Sequence, residues 1–206
     1  THFTPGYAPW DQRLCLVPDD DFFNALKDQS ASIVTDHIDS FTATGIRLKS
    51  GQELEADMVV TATGLALEVF SGVALSVDGE AVVPSDTYMY KGMMYSNIPN
   101  MAVSFGYTNA SWTLRSDLTC TYVCRLLNHM DNSATQQCTP RFNGSNIGES
   151  EWFNLSSGYV QRAKDKLPKQ GDQDPWMAPQ NYLLDIKNLK FGKVDDGTME
   201  FSRATG

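Results

Sequence analysis

The chain has 206 residues, 41% hydrophobic and 20% charged, an ordinary mix for a globular protein of one or two domains. Its net charge of −9 would be repelled by a nucleic-acid duplex or an anionic bilayer, so neither is an expected partner. No apolar run reaches the roughly 18 residues of a membrane span, so no transmembrane segment is expected.

In chain order, Thr1–Asp20 is rich in Pro, Tyr and Trp and reads as an ordered loop. Asp19-Asp20-Asp21 suits a solvated turn and helix start better than a metal site. Asp21–Lys27 carries Phe22, Phe23, Ala25 and Leu26, which predicts a short helix with an acidic first turn. A β segment is expected over Ser32–Thr35 and a meander over Asp39–Lys49, broken at Gly45 and followed by a Ser50-Gly51 turn and a strand at Gln52–Glu55. Asp57–Gly64 then joins an acidic residue, a β-branched run and Ala62-Thr63-Gly64, the pattern of a buried parallel strand ending at a ligand.

Leu65–Asp86 is mixed, punctuated by Gly72, Gly79 and Pro84. Strands are predicted at Tyr88–Met94 and Met101–Phe105. The clearest element is a helix over about Thr113–Met130, where Leu114, Leu118, Tyr122 and Leu126 recur at helical spacing with Val123 and Leu127 beside them. Asp131–Gly148 is polar and reads as a surface loop. Helices are expected at Ser156–Leu167 and Asn181–Lys190, and a last strand at Thr198–Ser202.

The four cysteines are Cys15, Cys120, Cys124 and Cys138. They fit neither a zinc ribbon nor a C-x-x-C redox pair and read as free thiols in a reducing, cytoplasmic setting; no metal is expected. His2, His37 and His129 stand beside no nucleophile in a known local pattern, so none is assigned a catalytic role.

Two constellations could carry chemistry. The first is Gly106, the short polar residues Asn109, Ser111 and Thr113, and the start of the long helix. The free N–H groups and partial positive charge of a helix amino end suit the negative charge that a reduced flavin places on its pyrimidine edge. Asn109, Ala110, Ser111, Trp112 and Thr113 are therefore candidate flavin contacts, and an ordinary capped helix is the alternative. The second is Pro9-Trp10-Asp11-Gln12-Arg13, where a permanently charged, fork-shaped donor sits among turn-forming residues. Arg13 could face an anionic intermediate or a nicotinamide nucleotide, or simply lie on a surface loop.

Four stretches together resemble one family: Pro9–Pro18 (PWDQRLCLVP), Thr61–Leu65 (TATGL), Tyr90–Met94 (YKGMM) and Gly106–Leu114 (GYTNASWTL). The chain is similar over nearly its whole length to class B flavoprotein monooxygenases of the Baeyer–Villiger type. That resemblance implies an α/β chain, the C-terminal part of a two-dinucleotide-binding, Rossmann-like FAD/NADP fold, with an antiparallel β meander and C-terminal helices. It implies residues 1–30 as the tail of the NADP-binding lobe and a linker, 31–130 as the C-terminal half of the FAD domain, and 131–206 as an extension packed on it. It implies FAD and NADPH as cofactors, and O2 with a ketone, thioether or amine as substrates, through a C4a-peroxyflavin. Arg13 would steady the activated-oxygen anion, and Ala62, Thr63 and Gly64 would form a hinge between lobes.

No G-x-G-x-x-G and no phosphate-binding G-x-x-x-x-G-K-[ST] occurs in the 206 residues. The expectation is therefore the carboxyl-terminal part of a longer enzyme, unable by itself to bind either cofactor well. An N- or S-oxygenating flavin monooxygenase and a non-catalytic remnant are the alternatives.

Overall fold

The computed structural model describes residues 2–8, 11–12, 17–144, 146–150 and 155–203. The chain divides into two compact units, Thr1–Leu65 and Ala66–Gly206. Its mixture of helices and antiparallel ladders agrees with the expected α/β class.

The first unit holds helix α1 (Asp21–Lys27), whose acidic start and basic end both complement the helix dipole. Phe22 and Phe23 cluster with Phe3, with ring centroids 5.6 to 6.5 Å apart. The predicted meander forms as β1 (Ile38–Thr42), β2 (Gly45–Leu48) and β3 (Glu53–Glu55), antiparallel in that order. The run breaks at the Ala43-Thr44 turn, just before the expected position, and Gly45 opens β2; glycine is needed there because its φ is +154° and a Cβ would collide with the Leu54 carbonyl. Arg47 and Glu53 pair across the strands at 2.6 Å, but both are about half exposed, so the pair is worth under about 1 kcal/mol.

Two expectations change in this unit. Ser32–Thr35 joins no ladder. Asp57–Gly64 is not a buried parallel strand: it belongs to no sheet, and Met58 and Val60 are 80% and 81% exposed. A β-branched run becomes a strand only when a neighbour satisfies its backbone groups. Among the described residues none does.

The second unit is organised around helix α2 (Trp112–Ser133). Its buried face is Arg115, Leu118, Thr119, Tyr122, Leu126 and Met130. That face is turned slightly from the predicted stripe, since Leu114 and Leu127 are exposed. Short hairpins fill out the unit: β4 (Ser76–Val77) with β5 (Glu80–Ala81), and β6 (Met89–Tyr90) with β7 (Met94–Tyr95). In the second of these, Lys91 and Gly92 both take positive φ and Met93 N–H donates to the Tyr90 carbonyl, the geometry of a type I′ turn.

Long-range ladders close the unit. Strand β8 (Gln137–Pro140) pairs antiparallel with β11 (Met199–Ser202), and β9 (Glu149–Ser150) pairs with β10 (Gln170–Gly171). Residues 137–140 were expected as loop. They become strand because the last strand lies beside them and Asn100 Oδ1 accepts the Cys138 N–H at 2.9 Å. Met101–Phe105, expected as a strand, joins no ladder; its bonds include Val103 N–H to the Met93 carbonyl at 2.7 Å and the Ser104 hydroxyl to that of Ser116 at 2.9 Å.

Helix α3 (Gly158–Ala163) and helix α4 (Tyr182–Asp185), which runs on as a π-helical turn through Phe191, stand where helical patterns were predicted. The core between these elements is Tyr90, Met93, Met94, Leu118, Tyr122, Leu126, Trp176, Leu189 and their neighbours.

Candidate functional site

The loop entering α2 is built by close approach. Gly106 is buried, and a Cβ there would strike the Trp112 side chain. Only glycine lets the indole lie across the backbone. Trp112 also packs on Phe105 at 4.7 Å between centroids, yet remains 51% exposed. Asn109, Ser111 and Thr113 are exposed, and Ala110 is half-buried.

The amino end of α2 departs from a capped helix. Ser111 has the extended φ and ψ of an N-cap residue, but its side chain accepts no bond from the first turn. Its hydroxyl instead pairs with that of Thr113 at 2.7 Å. Among the described residues no side chain caps the first-turn N–H groups, and Trp112, Thr113 and Leu114 of that turn are exposed, with the helix dipole adding partial positive charge.

Beneath this mouth lies a buried ionic cluster that the sequence reading missed. The Arg115 guanidinium pairs with the Asp185 carboxylate, and both side chains are 5% exposed or less. Asp185 also accepts the Tyr107 hydroxyl at 2.6 Å, and Arg115 donates to the Lys91 carbonyl at 2.6 Å. Burial, and then the Asp185 carboxylate, push the Tyr107 phenol well above its ordinary range, so it stays a neutral donor at any working pH. One signal in the sequence pointed here: Arg115 falls on the buried side of a long amphipathic helix, where a cation needs a partner.

A second cluster joins Tyr90, Tyr122, Lys91 and Asp196. The Tyr90 hydroxyl donates to Asp196 at 2.7 Å and lies 3.1 Å from the Tyr122 hydroxyl. The Lys91 ammonium reaches Asp196 at 2.8 Å. Burial pushes Tyr122 up to about 12. For Asp196, burial opposes ionisation, but the bonds from Lys91 and Tyr90 outweigh it and hold the carboxyl below its usual range.

The other sequence-derived candidates belong to the first unit or lie outside the described residues. Ala62, Thr63 and Gly64 are exposed in the first unit, with Gly64 at φ +112°. Arg13 lies outside the described residues. A cleft of 590 Å³ lined by Asp86, Glu149, Gln161, Lys164 and Lys169, among others, includes no residue of the 106–113 loop. Its rim is charged and partly self-paired, Lys169 to Glu149 at 3.1 Å, which is unsuited to a flat aromatic ring. No group of three metal-ligating side chains occurs among the described residues.

Comparison with known proteins decides the family. The chain is 51% identical over 98% of its length to the FAD-containing monooxygenase EthA of Mycobacterium tuberculosis. It is 49% identical over 98% to the probable FAD-binding monooxygenase AlmA of an Acinetobacter species, and 45% identical over 99% to the putative FAD-containing monooxygenase MymA of Mycobacterium tuberculosis. This chain belongs to the family of these FAD-containing monooxygenases. It spans 41% of the length of each of these relatives. No family model and no solved structure matches it.

The family's cofactor can be tested against the loop. A flavin ring needs a flat apolar wall and hydrogen-bond donors at its electron-accepting edge. Trp112 and the open amino end of α2 offer both, so the loop fits one edge of the ring. The pyrophosphate of FAD needs a glycine-rich turn, which these 206 residues lack.

Proposed function

We propose that this chain supplies the ring-facing part of the FAD domain in an NADPH- and FAD-dependent monooxygenase of Rossmann-like architecture, one that oxygenates a ketone in the Baeyer–Villiger manner or a soft sulfur or nitrogen centre. The observation that carries the reading is the uncapped, exposed amino end of α2 beside Trp112, in a chain whose relatives are FAD-containing monooxygenases. A bound flavin would supply the hydride-accepting and oxygen-activating chemistry. The first-turn N–H groups of α2, with Asn109 and Thr113, would hold negative charge at the ring edge. Trp112 and Phe105 would exclude water there. Arg13 would add a fixed positive charge, and Ala62, Thr63 and Gly64 would link the nucleotide-binding lobes.

The division of labour is testable by isothermal titration of FAD into the isolated 206 residues. Without the pyrophosphate turn, binding is expected to be weaker than a Kd of about 1 μM, roughly −8.2 kcal/mol. Tighter binding would show that the grip on the nucleotide resides here and would refute the assignment of this chain to the ring side alone.

A further inference from the structure

The loop that leads into α2 has no regular structure, yet one residue far along the chain fixes it at several points. The Gln180 side-chain oxygen accepts from the Thr108 N–H at 2.9 Å and from the Thr108 hydroxyl at 3.2 Å. The Gln180 backbone carbonyl accepts from the Asn109 side-chain amide at 3.2 Å. A backbone N–H can only donate, so the Gln180 amide must present its oxygen to Thr108.

Gln180 is itself held. Its neighbour Asn181 caps α4, accepting from the Leu183 and Leu184 N–H groups at 3.0 and 3.2 Å. Four residues further on, Asp185 is paired with Arg115 on the buried face of α2 and takes the hydroxyl of Tyr107, the residue just before Thr108. The loop is thus tied on both sides: Tyr107 and Arg115 to Asp185, Thr108 and Asn109 to Gln180. These ties set where Asn109–Thr113 stand and so which way the uncapped N–H groups point.

We propose that Gln180 is a positioning residue for the flavin-facing loop: by holding Thr108 and Asn109 it aims the amino end of α2 at the ring. The inference rests on the reading of Asn109–Thr113 as the flavin-contacting segment. It assigns the residues around 180 a task in cofactor geometry rather than in packing alone. Displacing a reacting group by about 1 Å can cost on the order of 100-fold in rate.

The test uses the full-length, FAD-loaded protein that carries this chain, with Gln180→Ala, Gln180→Glu and Trp112→Ala. Glutamate keeps an acceptor oxygen at the same reach, whereas alanine removes it. Three quantities are read: amide hydrogen exchange over residues 107–111, the fluorescence and absorbance of bound flavin, and kcat and KM for NADPH. Gln180→Ala is expected to speed exchange at Thr108 at least tenfold, raise flavin fluorescence, and lower kcat about tenfold with KM unchanged. Gln180→Glu should restore the slow exchange and most of kcat.

If Gln180→Ala leaves the flavin signal unchanged while Trp112→Ala alters it, the loop faces the ring but Gln180 does not position it, and the inference falls. If neither variant alters the flavin signal, the site reading falls and takes the inference with it. If alanine and glutamate are equally impaired and both lower the melting temperature, the role is packing and the inference is again overturned.

Discussion

Arg115→Met is the sharpest probe of how this chain is held together. Arg115 and Asp185 have side chains 5% and 2% exposed. Methionine keeps most of the unbranched stem of arginine, so the change removes charge and donors with little loss of packing. Among the described residues, Asp185 is left as a buried carboxylate with only the Tyr107 hydroxyl, and the Lys91 carbonyl loses its guanidinium donor. Breaking one side of a buried pair costs about 3–5 kcal/mol, because the remaining charge stays desolvated and uncompensated. With a urea m-value of about 2–3 kcal/mol/M, the unfolding midpoint should fall by about 1–2.5 M. Near-ultraviolet circular dichroism of the 206-residue chain reads the transition through the aromatic side chains packed on α2. The double variant Arg115→Met/Asp185→Leu should recover much of the loss, since an apolar pair of similar volume carries no desolvation penalty. A single-variant cost below about 1 kcal/mol, the range of a solvated surface pair, or a double variant no better than the single, would refute this account.

Two further outcomes follow from the same unit. The Thr119 hydroxyl is buried with no hydrogen-bond partner among the described residues, so Thr119→Val should be neutral or stabilising by up to about 1 kcal/mol in thermal unfolding; a loss above that would mean the hydroxyl is satisfied. Asp196 has a depressed folded pKa, so its stabilising effect is full above the ordinary value of 3.8 and is lost as pH falls through the folded value. Asp196→Asn should therefore cost stability at neutral pH, and its deficit against the native chain should shrink in denaturant titrations below pH 3.8; a deficit constant with pH would contradict the sign.

The local part of the fold was legible because its signals are local. Helix α2 follows from apolar residues at steps of three and four, and it forms from Trp112 to Ser133. The meander turns at Ala43-Thr44, just before the predicted break, and Gly45 itself opens β2 where no Cβ would fit. The Ser50-Gly51 turn, the last strand and the helix near residue 182 also stand where turn and cap chemistry put them. For the candidate site, the sequence marked the loop at residues 106–113 but supplied the wrong detail. Ser111 and Thr113 looked like caps, yet they bond each other and leave the helix end open.

Composition and motifs by themselves determined the family, the long helix and the absence of a glycine-rich phosphate loop from these residues, because each is written in neighbouring positions. Tertiary structure alone decided that Cys138 would lie in a strand opposite Phe201, that Val59 and Val60 would stand exposed, and that Arg115 would meet Asp185. Strand pairing and charge burial depend on what the distant chain brings alongside. A periodic pattern records which face of an element is apolar, not which neighbour arrives to cover it or to share its hydrogen bonds.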